Sequence, residues 1–329
     1  MADDGIAPLR AYRGDVTSTD APAAADLGPS LGPLGIWTFQ LDPQPMARAQ
    51  EAAAELDELG FGALWLPEAV GREPFANAAL LLSATRRLTV ATGIASLHAR
   101  TAITMNAGWR TLSEAFPGRF LLGVGVSHQP MVDGVHRGNY GDKPYSTMVG
   151  YLDAMDKGPF FGAPASVPPR RVLAALGPRM LRLSAERGVG AHPYFVPVEH
   201  TAVAREALGD GALLAPEQTV VFETDPTAAR QIARRFMKTY LALPNYTNNL
   251  RRLGWGDDDL GGEGSDRLVD AIVAWGSLDQ IAARVQAHLD AGADHVCVQV
   301  QTADPRGLPV TEWRELASII PSLRVRGGS

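Results

Sequence analysis

Cysteine is almost absent from this sequence, which has 329 residues and a single cysteine, Cys297. One cysteine cannot form a disulfide within the chain, and it excludes a metal site built from several thiolates. The zinc-protease pattern H-E-x-x-H is missing as well, so the sequence predicts no metal centre. Scarce cysteine is typical of a reducing compartment, and we therefore expect a cytoplasmic protein.

Long hydrophobic runs and targeting signals are also missing. No apolar stretch approaches the length of about 20 residues that crosses a membrane, and no basic segment followed by an apolar core is visible at the N-terminus. The net charge is −6, and the basic residues are scattered rather than clustered. These features argue against a membrane or a nucleic acid as a partner.

Two regions of the chain differ in the regularity of their hydrophobic pattern. Residues 1–32 contain Asp3, Asp4, Pro22 and Pro29 but no amphipathic period. We predict that they form an arm that is flexible or draped over the surface. Residues 33–329 are regular enough to predict a single domain.

A helix–glycine–strand pattern recurs in this second region. It appears in LDELGFGALWL (56–66), SAERGVGAHPYF (184–195) and HLDAGADHVCVQV (288–300). Copies that are this far apart are typical of repeated αβ units, which build a parallel sheet.

The complete pattern predicts eight strands with intervening helices. The strands lie near residues 35–39, 63–67, 88–95, 120–126, 171–176, 190–195, 218–223 and 295–300. The helices lie near 46–59, 74–85, 101–115, 145–157, 178–187, 197–208, 226–241 and 278–291. Eight such units predict an α/β fold, a TIM (β/α)8 barrel with insertions, and a doubly wound sheet is the alternative. Long connections follow the fourth and seventh strands, at the end where barrels carry their chemistry.

The motif Gly123-Val124-Gly125 at the end of the fourth strand raises the question of a bound dinucleotide. The dinucleotide fingerprint needs a third glycine at position 128, where this sequence has His128. A phosphate-binding G-x-x-x-x-G-K-[ST] loop is absent too. We therefore interpret the motif as a barrel strand whose small residues let a planar or phosphorylated ligand approach the backbone.

Seven stretches resemble the luciferase-like flavin and deazaflavin oxidoreductase superfamily, in its branch that uses coenzyme F420. They are LGFGALWLPE (59–68), LTVATGI (88–94), ARTAITMNAGWRTLSEAFPGRFLLGVGVSH (99–128), VLAALGPRMLRLSAERG (172–188), AHPYFV (191–196), NYTNNLRRLG (245–254) and LDAGADHVCVQV (289–300). They occur in order and cover nearly everything after Gly32. The resemblance implies a bacterial luciferase-like barrel with a cofactor at the C-terminal rim.

The resemblance also implies which residues contact the cofactor ring and its chain. At the end of the third strand it implies a bulge, often with a cis peptide bond, at Gly93 and Ile94, and a hydroxyl near the cofactor chain at Ser96. After the fourth strand it implies binding by Gly125, Val126 and Ser127.

A phosphate group is expected after the fifth strand, where Pro178 stands in the first turn of a helix. Helix N-termini carry free N–H groups and a positive dipole end, which suit an anion. The resemblance assigns the backbone amides of Leu176, Gly177, Arg179 and Met180. The alternative is that this glycine–proline pair is only a turn.

The resemblance assigns catalytic roles to His128 and Glu68. His128 stands where some relatives have a proton-accepting carboxylate, and a histidine does that work near neutral pH. The alternative is that His128 lies at the rim of the barrel and transfers no proton. Glu68 stands where relatives often have an acidic residue by the ring. Ala69 replaces the catalytic histidine of sugar-phosphate-oxidising relatives, which argues against that substrate class.

The substrate is expected near four side chains at strand ends, namely Phe39, His98, His192 and Tyr194. The predicted function is a coenzyme F420-dependent oxidoreductase that transfers a hydride between the deazaflavin C5 and a small organic substrate. The alternatives are an FMN-dependent monooxygenase with a partner flavin reductase, and a non-catalytic flavin-binding barrel. We also expect a homodimer and an external enzyme that reduces the cofactor.

Overall fold

The strands of the protein form one parallel sheet in a computed structural model that describes residues 31–325. They are β1 (Leu34–Trp37), β2 (Ala63–Leu66), β3 (Thr89–Thr92), β4 (Ala95–Ser96), β5 (Phe120–Gly125), β6 (Arg170–Leu173), β7 (Gly190–Ala191), β8 (Leu213–Leu214), β9 (Glu217–Val221), β10 (Val273–Trp275) and β11 (Val296–Val300). Neighbouring strands pair in parallel, as the repeated αβ units predict.

The helices connect these strands. They are α1 (Met46–Glu58), α2 (Pro74–Ser83), α3 (Ala102–Ala115), α4 (Pro144–Lys157), α5 (Pro178–Arg187), α6 (Val198–Leu208), α7 (Pro226–Leu241), α8 (Pro244–Arg252), α9 (Asp257–Leu260), α10 (Asp266–Ile272), α11 (Leu278–Asp290) and α12 (Val310–Ile319). Local sequence explains several of their starts. Thr101 and Asp225 cap α3 and α7 with side-chain oxygens, and Ser277 forms a capping box with Gln280 at α11.

The sheet closes into a barrel because β8 and β9 act as two pieces of one strand. On one side of this strand, the N–H of Ala215 donates to the oxygen of Ala191 (3.0 Å). On the other side, β9 pairs with β11, which pairs with β1. The ring is therefore β1, β2, β3, β5, β6, β7, β8–β9 and β11, and the predicted (β/α)8 barrel is confirmed. The order excludes the doubly wound alternative.

Two hydrophobic layers hold the barrel together. The outer layer lies between the strands and helices such as α1, α2 and α11. The inner layer fills the barrel with side chains that include Trp37, Trp65 and Cys297. Leu31 is buried in this inner layer. The rest of the predicted N-terminal arm lies outside the described residues, so the arm and the domain boundary at residue 33 stay predictions.

Three features differ from the predicted strands. The third predicted strand is interrupted at Gly93, so that β3 and β4 are separate. The sixth ends at residue 191 instead of 195, because Pro193 lacks an N–H and Phe195 has a left-handed φ of 57°. The short strand β10 and the helix α12 have no counterpart in the prediction. Within residues 31–325, no helix is both long and apolar enough to cross a bilayer.

Candidate active site

A cavity of about 790 Å³ opens at the C-terminal ends of the barrel strands. Its wall contains most of the residues that sequence analysis selected, because the C-terminal ends of parallel barrel strands converge on one rim. These are Phe39, Glu68, Gly93, Ile94, Val126, Ser127, His128, Leu176, Gly177, Arg179, Met180, His192 and Tyr194. Ser127 and His128 therefore line the same cavity as Gly93 and Glu68.

The peptide bond between Gly93 and Ile94 is cis, as the resemblance implies. Trp37 Nε1 donates a hydrogen bond to the oxygen of Gly93 (3.0 Å), which fixes the bulge against β1. A Cβ atom on Gly93 would lie 2.5 Å from Trp37 Nε1 and 3.0 Å from His192 Nε2. Only glycine therefore fits at this point of the cavity wall.

Gly123 and Gly125 accommodate this bulge rather than a ligand. A Cβ atom on Gly123 would lie 2.0 Å from the oxygen of Thr92, and one on Gly125 would lie 2.5 Å from Cγ1 of Ile94. The space beside both glycines is thus filled by the protein. The expectation that they open the backbone to a planar ligand is wrong, and Gly125 does not line the cavity.

Ser96 and His98 lie behind the cavity wall and not in it. The Ser96 N–H donates to Glu68 Oε2 (2.6 Å), and the Ser96 hydroxyl accepts from the His98 N–H (3.2 Å). The His98 ring packs on Tyr140, which does line the cavity. The lining of the cavity thus gives no support to the predicted direct contacts of Ser96 with a cofactor and of His98 with a substrate.

Glu68 is held in an ion pair that sequence analysis did not identify. Its carboxylate accepts from both terminal nitrogens of Arg100, one of them at 2.9 Å, and from the Ser96 N–H. Only about a tenth of either side chain is exposed. A bidentate pair with a further backbone donor occupies both carboxylate oxygens. This geometry argues against the predicted catalytic role, because the same carboxylate ties β4 to the end of β2.

His192 is a buried, neutral histidine. Its Nδ1 lies 2.7 Å from the oxygen of Ala215, an acceptor, so Nδ1 carries the proton. The ring stacks on Trp65 at 4.4 Å between centroids. Burial lowers the pKa of His192 to about 4, against the opposing effect of the Ala215 hydrogen bond. His192 therefore shapes the cavity floor as an uncharged ring.

His128 faces Tyr246 across a short gap at one end of the cavity. Ser127 has a left-handed φ of 58°, which turns the chain after β5. The Nε2 atom of His128 then lies 3.5 Å from the hydroxyl oxygen of Tyr246. Burial lowers the pKa of His128, and the Asn245 side chain opposes this effect. The imidazole is consequently neutral at pH 7 and able to accept a proton.

An aromatic wall formed by Trp37, Phe39, Tyr194, Tyr240 and Tyr246 extends from β1 to α8. Neighbouring rings along it lie about 5 Å apart, as in the pairs of Trp37 with Phe39 (4.8 Å) and with Tyr194 (5.0 Å). The hydroxyls of Tyr194 and Tyr240 are 2.8 Å apart. Sequence analysis missed Tyr240 and Tyr246, although both lie in the long connection that it identified after the seventh strand.

The other end of the cavity is positively charged. Helix α5 begins there, with Gly177 as N-cap and Pro178 in its first turn, as expected. A side chain at Gly177 would start 3.4 Å from Arg252 Nη2, so this guanidinium lies beside the helix N-terminus. Arg179 packs over Tyr145 at 4.2 Å. Neither arginine pairs with a carboxylate among residues 31–325.

Known proteins resemble this chain in sequence and in structure. The family model of the luciferase-like monooxygenases matches residues 30–295. An uncharacterised protein of Mycobacterium tuberculosis is 26% identical over a 309-residue alignment, which covers 77% of this chain and 90% of that protein.

Two solved structures share the barrel. An F420-dependent secondary alcohol dehydrogenase, in complex with an F420-acetone adduct, superposes with a TM-score of 0.69 at 15% identity, covering 89% of this chain and 99% of its own. The oxygenating constituent of 3,6-diketocamphane monooxygenase from Pseudomonas putida, in complex with FMN, gives a TM-score of 0.67 at 16% identity, with the same coverage of each chain. At these identities, the likeness shows the fold.

Proposed function

The chain belongs to the luciferase-like monooxygenase family, and from this premise we propose that it is a coenzyme F420-dependent oxidoreductase that transfers a hydride between the deazaflavin and a small organic substrate. The observation that carries the proposal is the polarity of the cavity. One end has a helix N-terminus with two arginines that pair with no carboxylate among residues 31–325, and the other has a neutral histidine beside a tyrosine hydroxyl. The Gly93 bulge lines the same cavity.

The residues present fit a cofactor with a phosphate group. The first N–H groups of α5 have no partner within the helix, and Arg252 and Arg179 add positive charge beside them. Ser127 and Val126 line the path from this end to the bulge. A bound deazaflavin supplies hydride chemistry at its C5 atom, while the protein orients the ring and the substrate.

The remaining steps belong to side chains of the protein. The Nε2 atom of His128 accepts the proton of a substrate hydroxyl during oxidation, and returns it during reduction. The aromatic wall excludes water from the space above the bulge. The ion pair of Glu68 and Arg100 keeps β4 in place and moves no proton.

The cofactor is tested by titrating the purified protein with oxidised coenzyme F420 and, separately, with FMN, while absorbance spectra are recorded. We expect F420 to bind at micromolar concentration and more tightly than FMN. Tight binding of FMN without F420 would favour the alternative, an FMN-dependent monooxygenase served by a flavin reductase. Failure of both to bind would exclude a cofactor site here, whereas binding without turnover would favour a non-catalytic barrel.

Replacing Arg252 with glutamine is expected to weaken cofactor binding about tenfold or more, because a charge-assisted contact to phosphate contributes roughly 1.5–3 kcal/mol. The matched control is Arg251→Gln. Arg251 is half exposed, pairs with Asp257 at 2.9 Å and does not line the cavity. Equal dissociation constants for both variants, measured by absorbance titration, would contradict the phosphate site at α5.

The predicted homodimer, the external cofactor-reducing enzyme and the cytoplasmic location stay proposals. An oxidoreductase of this kind needs a second reaction to restore its cofactor after each turnover, which is the reason for proposing a separate reducing or oxidising enzyme.

A further inference from the structure

The charges of the cavity are confined to one end. Among the described residues, its charged lining side chains are Glu68, Arg179 and Arg252. Arg100 neutralises Glu68, and the two arginines lie at the start of α5. Tyr246 and Arg252 are six residues apart on α8, a distance of about 9 Å along a helix. Near Tyr246, therefore, no charged side chain among residues 31–325 lines the cavity. The buried carboxyl of Glu217 lies behind the tyrosines, and burial raises its pKa to about 7, which favours its neutral form.

The surroundings of this uncharged end are hydrophobic. The aromatic wall borders it, and Met131 and Leu243 also line the cavity. An ion that enters such a site loses its hydration without gaining a counterion, which costs several kcal/mol. Aromatic faces attract cations, but a cation–π contact contributes only about 0.5–2 kcal/mol, which does not offset the lost hydration. Both signs of charge are thus disfavoured.

Polar side chains also line this end, among them Asn245, and those of His128 and Tyr246 bring two polar atoms close together. The Nε2 atom of His128 and the hydroxyl oxygen of Tyr246 are 3.5 Å apart. An oxygen atom at hydrogen-bonding distance, about 2.8 Å, is able to reach both at once. Burial raises the pKa of the Tyr246 hydroxyl well above its ordinary value, so this hydroxyl keeps its proton and acts as a donor. Neutral His128 presents Nε2 as the acceptor in the tautomer whose proton is on Nδ1.

We propose that the substrate is an uncharged hydrophobic alcohol, or the carbonyl compound formed from it, whose oxygen lies between His128 Nε2 and Tyr246 Oη, and that Tyr246 is a catalytic residue. This inference depends on the proposed function. In the oxidative direction the carbinol C–H bond breaks and its hydride passes to the oxidised deazaflavin. The O–H proton passes to His128, and the C=O bond forms while Tyr246 donates to the oxygen. The substrate loses two electrons, which the cofactor gains.

The substrate class is tested with four ligands of similar size, measured by calorimetry on the cofactor-loaded protein. They are neutral 4-methylbenzyl alcohol, anionic 4-(hydroxymethyl)benzoate, cationic 4-(aminomethyl)benzyl alcohol, and p-xylene, which lacks the oxygen. We expect the neutral alcohol to bind at least about tenfold more tightly than either ion. Equal or tighter binding of an ion, or no binding of the neutral alcohol, would overturn the proposal.

The role of Tyr246 is tested with Tyr246→Phe and the same ligands. The variant is expected to bind 4-methylbenzyl alcohol roughly tenfold more weakly and to oxidise it roughly tenfold or more slowly, because one hydrogen bond to the oxygen is lost. Its affinity for p-xylene should not change, and this ligand controls for altered packing. Unchanged alcohol binding and turnover, in a variant with wild-type thermal stability, would exclude the catalytic role.

The cofactor titration separates this inference from the proposed function. If F420 and FMN both fail to bind, the proposed function fails whatever the alcohols do. If F420 binds and the neutral alcohol shows no preference over the ions, the cofactor proposal stands and the substrate class assigned here is wrong.

Discussion

Replacing His128 with asparagine is expected to lower kcat/KM for alcohol oxidation by about 100-fold or more, while the affinity for the cofactor stays close to that of the wild type. General-base catalysis contributes about 10²–10⁴-fold, and asparagine preserves polarity without accepting a proton. The measurement is steady-state kinetics with the best uncharged alcohol, together with a cofactor titration of both proteins. Unchanged turnover would show that His128 has only a structural role. Loss of cofactor binding in a folded variant would show that His128 binds the cofactor.

The pH dependence of kcat/KM gives a second test of the same residue. Burial lowers the pKa of His128 below its ordinary value of 6.5. A general base is active in its neutral form, so the wild-type kcat/KM should decrease at acidic pH and reach half of its plateau value at a pH below 6.5. This acidic decrease should be absent from the His128→Asn variant. A decrease that persists unchanged in the variant would assign the titration to another group.

Gly123→Ala is expected to destabilise the protein by about 3 kcal/mol or more, a large effect for the addition of one methyl group. The new Cβ atom would lie 2.0 Å from the oxygen of Thr92, which belongs to the backbone of β3. The Thr92 hydroxyl also bonds both backbone groups of Gly123, at 2.8 Å each, so neither strand is free to move away. Thermal unfolding should occur about 4 °C or more below the wild-type temperature, because an unfolding entropy of roughly 2.1 cal/mol/K per residue amounts to about 0.7 kcal/mol/K for a chain of 329 residues.

The matched control for this substitution is Gly150→Ala. Gly150 lies inside α4, is exposed, and has no atom within 4 Å of its Cβ position. Alanine is the better helix former, so the control should be as stable as the wild type or slightly more stable. Equal unfolding temperatures for Gly123→Ala and Gly150→Ala would show that the backbone around the bulge relaxes, contrary to the packing argument.

The repeated units in the sequence determine the barrel and the position of the cavity. The periodicity of helices such as α1 and α11, and the apolar runs of β2 and β11, are local properties that survive in a single sequence. Parallel strands that alternate with helices close in only a few ways, and their C-terminal ends must meet. For this reason Gly93 and Tyr194, which lie far apart in the sequence, line one cavity.

The tertiary structure alone decided which side chain each of these residues meets. Sequence analysis selected Glu68 as a catalytic residue, and only the fold shows that Arg100 occupies its oxygens. It interpreted the missing side chain of Gly123 as leaving space for a ligand, and only the fold shows that β3 fills that space. It did not select Tyr246, which lies 118 residues from His128 along the chain.

The sequence determined the elements but not these contacts because the interactions behind them act over different separations along the chain. Helix caps, turns and hydrophobic periods depend on residues a few positions apart, so the sequence by itself determined the elements and their order. The ion pair of Glu68, the contact of Arg252 with the start of α5 and the pairing of His128 with Tyr246 join segments that meet only after the barrel has closed. Their distances are set by the packing of whole strands and helices, which no local pattern specifies.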